Sequence, residues 1–155
     1  MKYPFIPKST AYLERGHIIS IPLSNSTYSC ARVLQCEKAD GTRDSRYFVI
    51  GLMEWNEPCQ PSSDYIAGLE IIDHGQVHIK TIRECSSAIV GHRDLKIDNI
   101  DTPLSLDESP GSNCHLRKGL DILRVATPEE QRTLKIFSTW GYNVLKIKAE
   151  KHFVR

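Results

Sequence analysis

The chain has 155 residues, 40% hydrophobic and 25% charged, with 20 Lys plus Arg against 19 Asp plus Glu and a net charge of +1. That size and balance suit one globular domain over 1–155 and exclude a disordered chain, and near-neutrality argues against broad nucleic-acid binding while leaving room for a local basic patch. No run approaches the roughly 18 apolar residues of a membrane helix, and the segment from Met1 to Lys8 lacks the apolar stretch and cleavage site of a secretory leader, so a cytoplasmic protein without membrane contact is expected.

Taken in chain order, the first half reads as β-structure. Gly16 closes a short segment containing Ala11, Tyr12 and Leu13. His17 to Leu23 has the composition of a strand, and Pro22, which cannot donate to a sheet, places it at an edge or ends it. Ser24-Asn25-Ser26 is turn chemistry. Thr27 to Cys36 alternates, with Tyr28, Cys30, Arg32 and Leu34 on one face and Ser29, Ala31 and Val33 on the other. Asp40-Gly41 is a hairpin signal, and Ser45 to Trp55 is rich in strand formers. Three strands with tight turns predict a meander.

Asn56 to Asp64 contains Pro58, Pro61, Ser62 and Ser63 and reads as a surface loop. Ile66 to Ile72, Val77 to Ile82 and Ala88 to Gly91 are short apolar runs that fit either a strand or a helical turn. Residues 99–119 are dominated by Asn, Asp, Ser, Pro and Gly and read as one long loop. Leu120 to Val125 reads as a strand. Thr127-Pro128-Glu129-Glu130 is a helix start: a hydroxyl cap, proline at the first position and carboxylates in the first turn. The helix is expected to reach Trp140 with Leu134 and Phe137 inward, stopped by Gly141. Tyr142 to Lys148 is expected to be a closing strand. The predicted fold is mainly β (α+β): a curled antiparallel sheet or SH3-like barrel with a C-terminal helix packed on it.

The chemical motifs are local. Cysteines at 30, 36, 59, 85 and 114 are odd in number and form no Cys-x-x-Cys pattern, which predicts reduced thiols, several of them buried. His92-Arg93-Asp94-Leu95-Lys96-Ile97-Asp98-Asn99 matches a protein-kinase catalytic loop. The Gly-rich loop, strand lysine and Asp-Phe-Gly that such a loop requires are missing, so a polar surface turn or strand end is expected instead. His74 and His78 have chelating i, i+4 spacing for a helix, but Gly75, Val77 and Ile79 suggest extended chain, and no metal is expected. Cys114-His115 is adjacent in sequence only, whereas a nucleophile pair must meet through space with an orienting third group. No catalytic residue and no cofactor is predicted.

The carboxylates Glu70, Asp73, Asp98, Asp101, Asp107 and Glu108 fall in or beside loops, as an acidic patch facing a basic partner would. Trp55, beside Glu54, Asn56 and Glu57, reads as either core or an exposed anchor. The predicted partner-binding set is Trp55, Glu57, Asp73, Asp98, Asp101, Asp107 and Glu108.

Residues 13–55 resemble the bacterial immunity protein 26 family of polymorphic-toxin loci. The resemblance rests on Gly16-His17-Ile18-Ile19-Ser20-Ile21-Pro22-Leu23, on Tyr28-Ser29-Cys30-Ala31-Arg32-Val33-Leu34, and on Tyr47-Phe48-Val49-Ile50-Gly51-Leu52. His17 stands where that family usually has an acidic residue. The resemblance implies a cytoplasmic protein that binds a cognate toxin domain and blocks it, without catalytic residues. A homodimer is compatible with this reading. Two rival readings remain. One is a nucleic-acid-associated small β-barrel, since the strand pair is also similar to toxin-type RNase barrels such as PemK; it would unite Arg43, Arg46, Lys80, Arg83 and Arg93 in a basic stripe. The other is an enzyme built on Cys114-His115 or His92-Asp94.

Overall fold

The computed structural model describes residues 2–155. Nine strands form: β1 (His17–Pro22), β2 (Tyr28–Gln35), β3 (Tyr47–Glu57), β4 (Ile71–His78), β5 (Ala88–His92), β6 (Leu104–Leu106), β7 (His115–Lys118), β8 (Asp121–Val125) and β9 (Thr139–Trp140). The helices are α1 (Lys80–Glu84), α2 (Pro128–Thr133) and α3 (Val144–Phe153), with 3₁₀ turns at Thr10–Tyr12 and Leu95–Asp98. The molecule is mainly β with a C-terminal helix, as expected. Its large sheet, in the order β5-β1-β2-β3-β4-β9, stays open and does not close into a barrel.

The meander β1-β2-β3 follows the turn signals. Gly16 leads into it at φ +96°, in the left-handed region, where a Cβ would collide with the Arg93 carbonyl. Pro22 ends β1 opposite Tyr28, although β1 lies inside the sheet between β5 and β2. Every neighbouring pair in the large sheet is antiparallel except β4 and β9, which run parallel through Gln76 and Thr139. Both faces of the central strands are covered, which is why β2 and β3 bury apolar side chains on both. On one face Ala31, Val33, Phe48, Ile50 and Leu52 meet Ile82 from α1 and Leu145 and Ala149 from α3. On the other, Cys30, Met53 and Trp55 meet Ile66, while Leu34 and Val49 meet Leu95 and Phe137.

Three expectations about the second half need correction. The loop 99–119 contains β6 and β7, which join β8 in a second sheet of order β6-β7-β8. Its core is small: Leu106, Cys114, Leu116 and Ala126, with Leu134 against them. The helix from Thr127 has its full capping box, with Thr127 accepting from the Glu130 N–H and Glu130 accepting from the Thr127 N–H, but it stops at Thr133. Residues beyond it are recruited by the sheets: the Leu106 N–H donates to the Lys135 carbonyl, the Phe137 N–H to the Leu106 carbonyl, and Trp140 joins β9. Tyr142 to Lys148, expected as a strand, instead enters α3, whose buried Leu145 and Ala149 are four residues apart on one helix face.

Trp140 lies flat on Gly75 of β4: a Cβ there would sit 2.5 Å from its indole. The indole is 5% exposed, and the Lys148 ammonium of α3 stands 5.0 Å from the ring centroid. This contact locks β9 and the C-terminal helix onto the large sheet.

Candidate functional site

The sequence-predicted partner set is not one patch. Asp73, Asp98 and Asp101 each have a lysine or arginine counter-ion within the fold, and Asp107 is bonded to His115. Asp73, on β4, is engaged by Lys135 and, at 2.8 Å, by Lys148. These two ammonium groups outweigh the cost of its partial burial and hold its carboxyl below the usual range. Asp101 is exposed and paired with Lys118. Asp107 accepts from the His115 N–H at 2.6 Å and sits 3.4 Å from His115 Nδ1. Glu57 and Glu108 are exposed.

Two members of that set face inward and cannot serve as surface anchors. Trp55 is 7% exposed, and its indole N–H donates to the Tyr65 carbonyl at 3.0 Å. Asp98, with only 3% of its side chain exposed, is the centre of a buried ion network. Arg93 reaches it through two N–H groups, at 2.9 and 3.1 Å. The fully buried Arg32 guanidinium of β2 lies 3.4 Å away and also donates to the Arg93 carbonyl. The Gly68 N–H adds a bond at 3.0 Å. Hydrogen bonds from Arg93, then from Gly68 and Arg32, hold the Asp98 carboxyl below its ordinary value.

The residues of the kinase-like string bond within the fold, and Asp98 is buried where a polar surface turn or strand end was expected. His92 ends β5 with Nε2 2.8 Å from the Arg15 carbonyl, Asp94 caps the 3₁₀ turn through the Lys96 N–H, and Asp98 closes the network. The Cys114 thiol is buried and donates to the Glu108 carbonyl, while His115 turns to Asp107. Among the described residues no side-chain hydrogen bond joins Cys114 to His115 or His92 to Asp94. His74 and His78 lie on extended chain, as their neighbours suggested; His74 is buried 5.8 Å from the Phe137 ring, and His78 stands edge-on to Tyr47 and Tyr142. All five cysteines are free thiols, buried except Cys59.

Two surface features remain. The first was missed by the sequence reading. β8 is an outer strand of the small sheet and exposes Ile122 (59%), Leu123 (50%) and Val125 (57%). Its register against β7 shifts at Leu123, and its one basic side chain, Arg124, is held by Glu130 at 2.7 and 2.8 Å. The only signal in the sequence was the run Ile122-Leu123 with Val125, which fits a buried strand as well as an exposed one.

The second feature is a cavity of about 610 Å³ between the N-terminal segment, the start of β3 and α1. It is lined by Lys8, Arg46, His78, Lys80 and Arg83, with Ile6, Pro7 and Ile79 as apolar wall and Glu84 as its one acid. It gathers three members of the predicted basic stripe. The other two are elsewhere: Arg43 donates to the Thr10 carbonyl and pairs with Glu37, and Arg93 belongs to Asp98. Among the described residues no helix is long and apolar enough to cross a membrane. Comparison with models of protein families, with curated proteins and with solved structures finds no match to this chain.

Proposed function

We infer that this protein acts by binding, and that it neutralises a cognate toxin domain by stoichiometric occlusion without transforming a substrate. Two things support the reading: the resemblance of residues 13–55 to immunity protein 26, and the surface of β8. The observation that carries it is the outer strand with Ile122, Leu123 and Val125 more than half-exposed or nearly so. Outer strands are ordinarily blunted by charge because their unpaired backbone groups invite another chain. Here Arg124 is spent on Glu130, and the strand presents apolar side chains beside an open edge. Such a surface suits capture of another polypeptide, with main-chain pairing giving affinity and side chains giving selection. The acidic residues support it less, since Asp73, Asp98 and Asp101 are already paired with lysine or arginine within the fold.

The test is co-purification with the variable C-terminal domain encoded by the adjacent toxin gene. Capture at one-to-one stoichiometry is expected, lost in Leu123→Lys and Val125→Lys while thermal melting stays within about 0.5 kcal/mol of the parent, as for exposed substitutions. Turnover by the purified protein, abolished by one point replacement, overturns the reading. So does capture indifferent to both β8 variants, which would remove the surface on which it stands.

A further inference from the structure

Four basic side chains meet at the cavity beside α1 for reasons the backbone makes plain. The Ile79 N–H donates to the Arg46 carbonyl at 2.6 Å, and Tyr47 pairs with His78, so the entry of β3 lies against the start of α1. The Thr10 N–H donates to the Ser45 carbonyl at 3.0 Å, which brings the N-terminal segment with Lys8 to the same place. Arg15, Arg43, Arg93, Arg124, Lys118, Lys135 and Lys148 all have carboxylate partners. By contrast, among the described residues Lys8, Arg46, Lys80 and Arg83 have no ion pair and no side-chain hydrogen bond. Their charges converge on one cavity that offers a single carboxylate, Glu84.

His78 contributes differently. Its Nδ1 accepts from the Lys80 N–H at 3.0 Å, so in the neutral ring the remaining N–H is at Nε2. Desolvation, then the neighbouring Lys80 and Arg46 charges, keep it below its ordinary value, as expected inside a positive field. A neutral donor flanked by guanidinium and ammonium groups matches an oxyanion with several lone pairs, and an arginine's planar fork can pair with two oxygens of a tetrahedral phosphate. Ile6, Pro7 and Ile79 supply an apolar wall beside the charges. The volume lies in the range of small-molecule sites, and with Arg43 and Arg93 committed elsewhere the cations form a compact group and not the track that a nucleic-acid backbone follows.

We propose that this cavity binds a small phosphate monoester through Lys8, Arg46, Lys80 and Arg83, a binding activity separate from polypeptide capture at β8. The phosphoryl group neutralises the clustered charge, and the body of the ligand lies against Ile6 and Pro7.

Calorimetric titration of the full chain with inorganic phosphate, with uridine 5′-monophosphate, and with a single-stranded oligonucleotide lacking terminal phosphates tests this. Saturable binding of the monoester is expected, tighter than inorganic phosphate. Arg46→Gln and Arg83→Gln are expected to weaken it at least about tenfold with unchanged thermal melting, since neither side chain bonds within the fold. Arg132→Gln, on α2 outside the cavity, is expected to leave it unchanged. Absence of saturable monoester binding overturns the proposal, as does equal weakening by Arg132→Gln. Preference for the oligonucleotide also overturns it, and assigns the cations to a nucleic-acid backbone. Toxin capture by the Arg46 and Arg83 variants is expected to be unaltered, so failure here and failure of the polypeptide-binding reading are separately visible.

Discussion

At the scale of single residues, burial assigns the chemistry of the histidines. His74 is 3% exposed, its Nε2 has no hydrogen-bond partner among the described residues, and it sits beside Phe137. Burial, reinforced by Lys135 and opposed by Asp73, pushes its imidazole down to about 4. In the unfolded chain the same ring takes up a proton near its ordinary value of 6.5. The unfolded state therefore binds more protons between those two values, and stability falls as pH drops from 6.5 towards 4, being complete above that window. His17, also buried and also held below its ordinary value by desolvation, acts in the same direction. Urea midpoints at pH 7 and pH 5 are expected to differ in the parent and to differ less in His74→Leu, which removes both the titration and a buried polar atom that lacks a partner. An identical acid fall in the two proteins would assign the loss to other groups.

At the scale of elements, Asp98, the last residue of the 3₁₀ turn, ties that turn to pieces of chain that the strands alone leave separate: β2 through Arg32, the segment after β3 through Gly68, and the end of β5 through Arg93. Removing the carboxylate leaves the Arg32 guanidinium buried and uncompensated, so Asp98→Ala is expected to cost about 3–5 kcal/mol. The double variant Arg32→Met/Asp98→Leu is expected to recover most of that, because a buried pair is only weakly stabilising against an apolar replacement. A single-variant cost below about 1 kcal/mol, typical of surface pairs, would contradict the burial of the network. The same residues show what the sequence could convey. The alternation of β2 put Arg32 on the face of Cys30 and Leu34, and that placement holds; its partner sixty-six positions away left no local trace. The meander was legible because turn chemistry and strand composition agree there. β6 and β7 were hidden because three- and four-residue strands among Ser, Pro and Gly carry no period. The start of α2 was written in its capping box, whereas its end was set by pairing with β6 and β4, a tertiary choice that overrides the apolar spacing of Leu134, Phe137 and Trp140. The candidate sites follow the same division. Arg46, Lys80 and Arg83 could be grouped by charge, but Lys8 and His78 join them only through backbone pairing, and the exposure of β8 depends on which sheet it enters.

At the scale of the whole molecule, the two sheets are unequal. The large sheet has cores on both faces, with helices and loops covering them, while β6-β7-β8 rests on Leu106, Cys114, Leu116 and Ala126. The small sheet is attached by few backbone links: Leu106 with Lys135 and Phe137, and the Leu120 N–H donating to Gln35 Oε1 at 2.8 Å. Gln35 and the Ala39 N–H also reach the Asp121 carboxylate at the start of β8. With so little apolar area holding it, the small sheet is expected to open sub-globally before the rest. Native-state hydrogen exchange is therefore expected to give β7 and β8 amides a lower opening free energy than those of β2 and β3, whose opening should approach global unfolding. Uniform protection across both sheets would show that the molecule opens as one unit. The inequality bears on recognition. A partner strand added at β8 extends the weaker sheet and buries Ile122, Leu123 and Val125, so binding energy enters where the free protein has least. Protection in the complex is then expected to rise across β7 and β8, beyond the residues in direct contact, while β2 and β3 stay as they were. A rise confined to β8 would mean that capture covers a surface without stabilising the sheet that presents it.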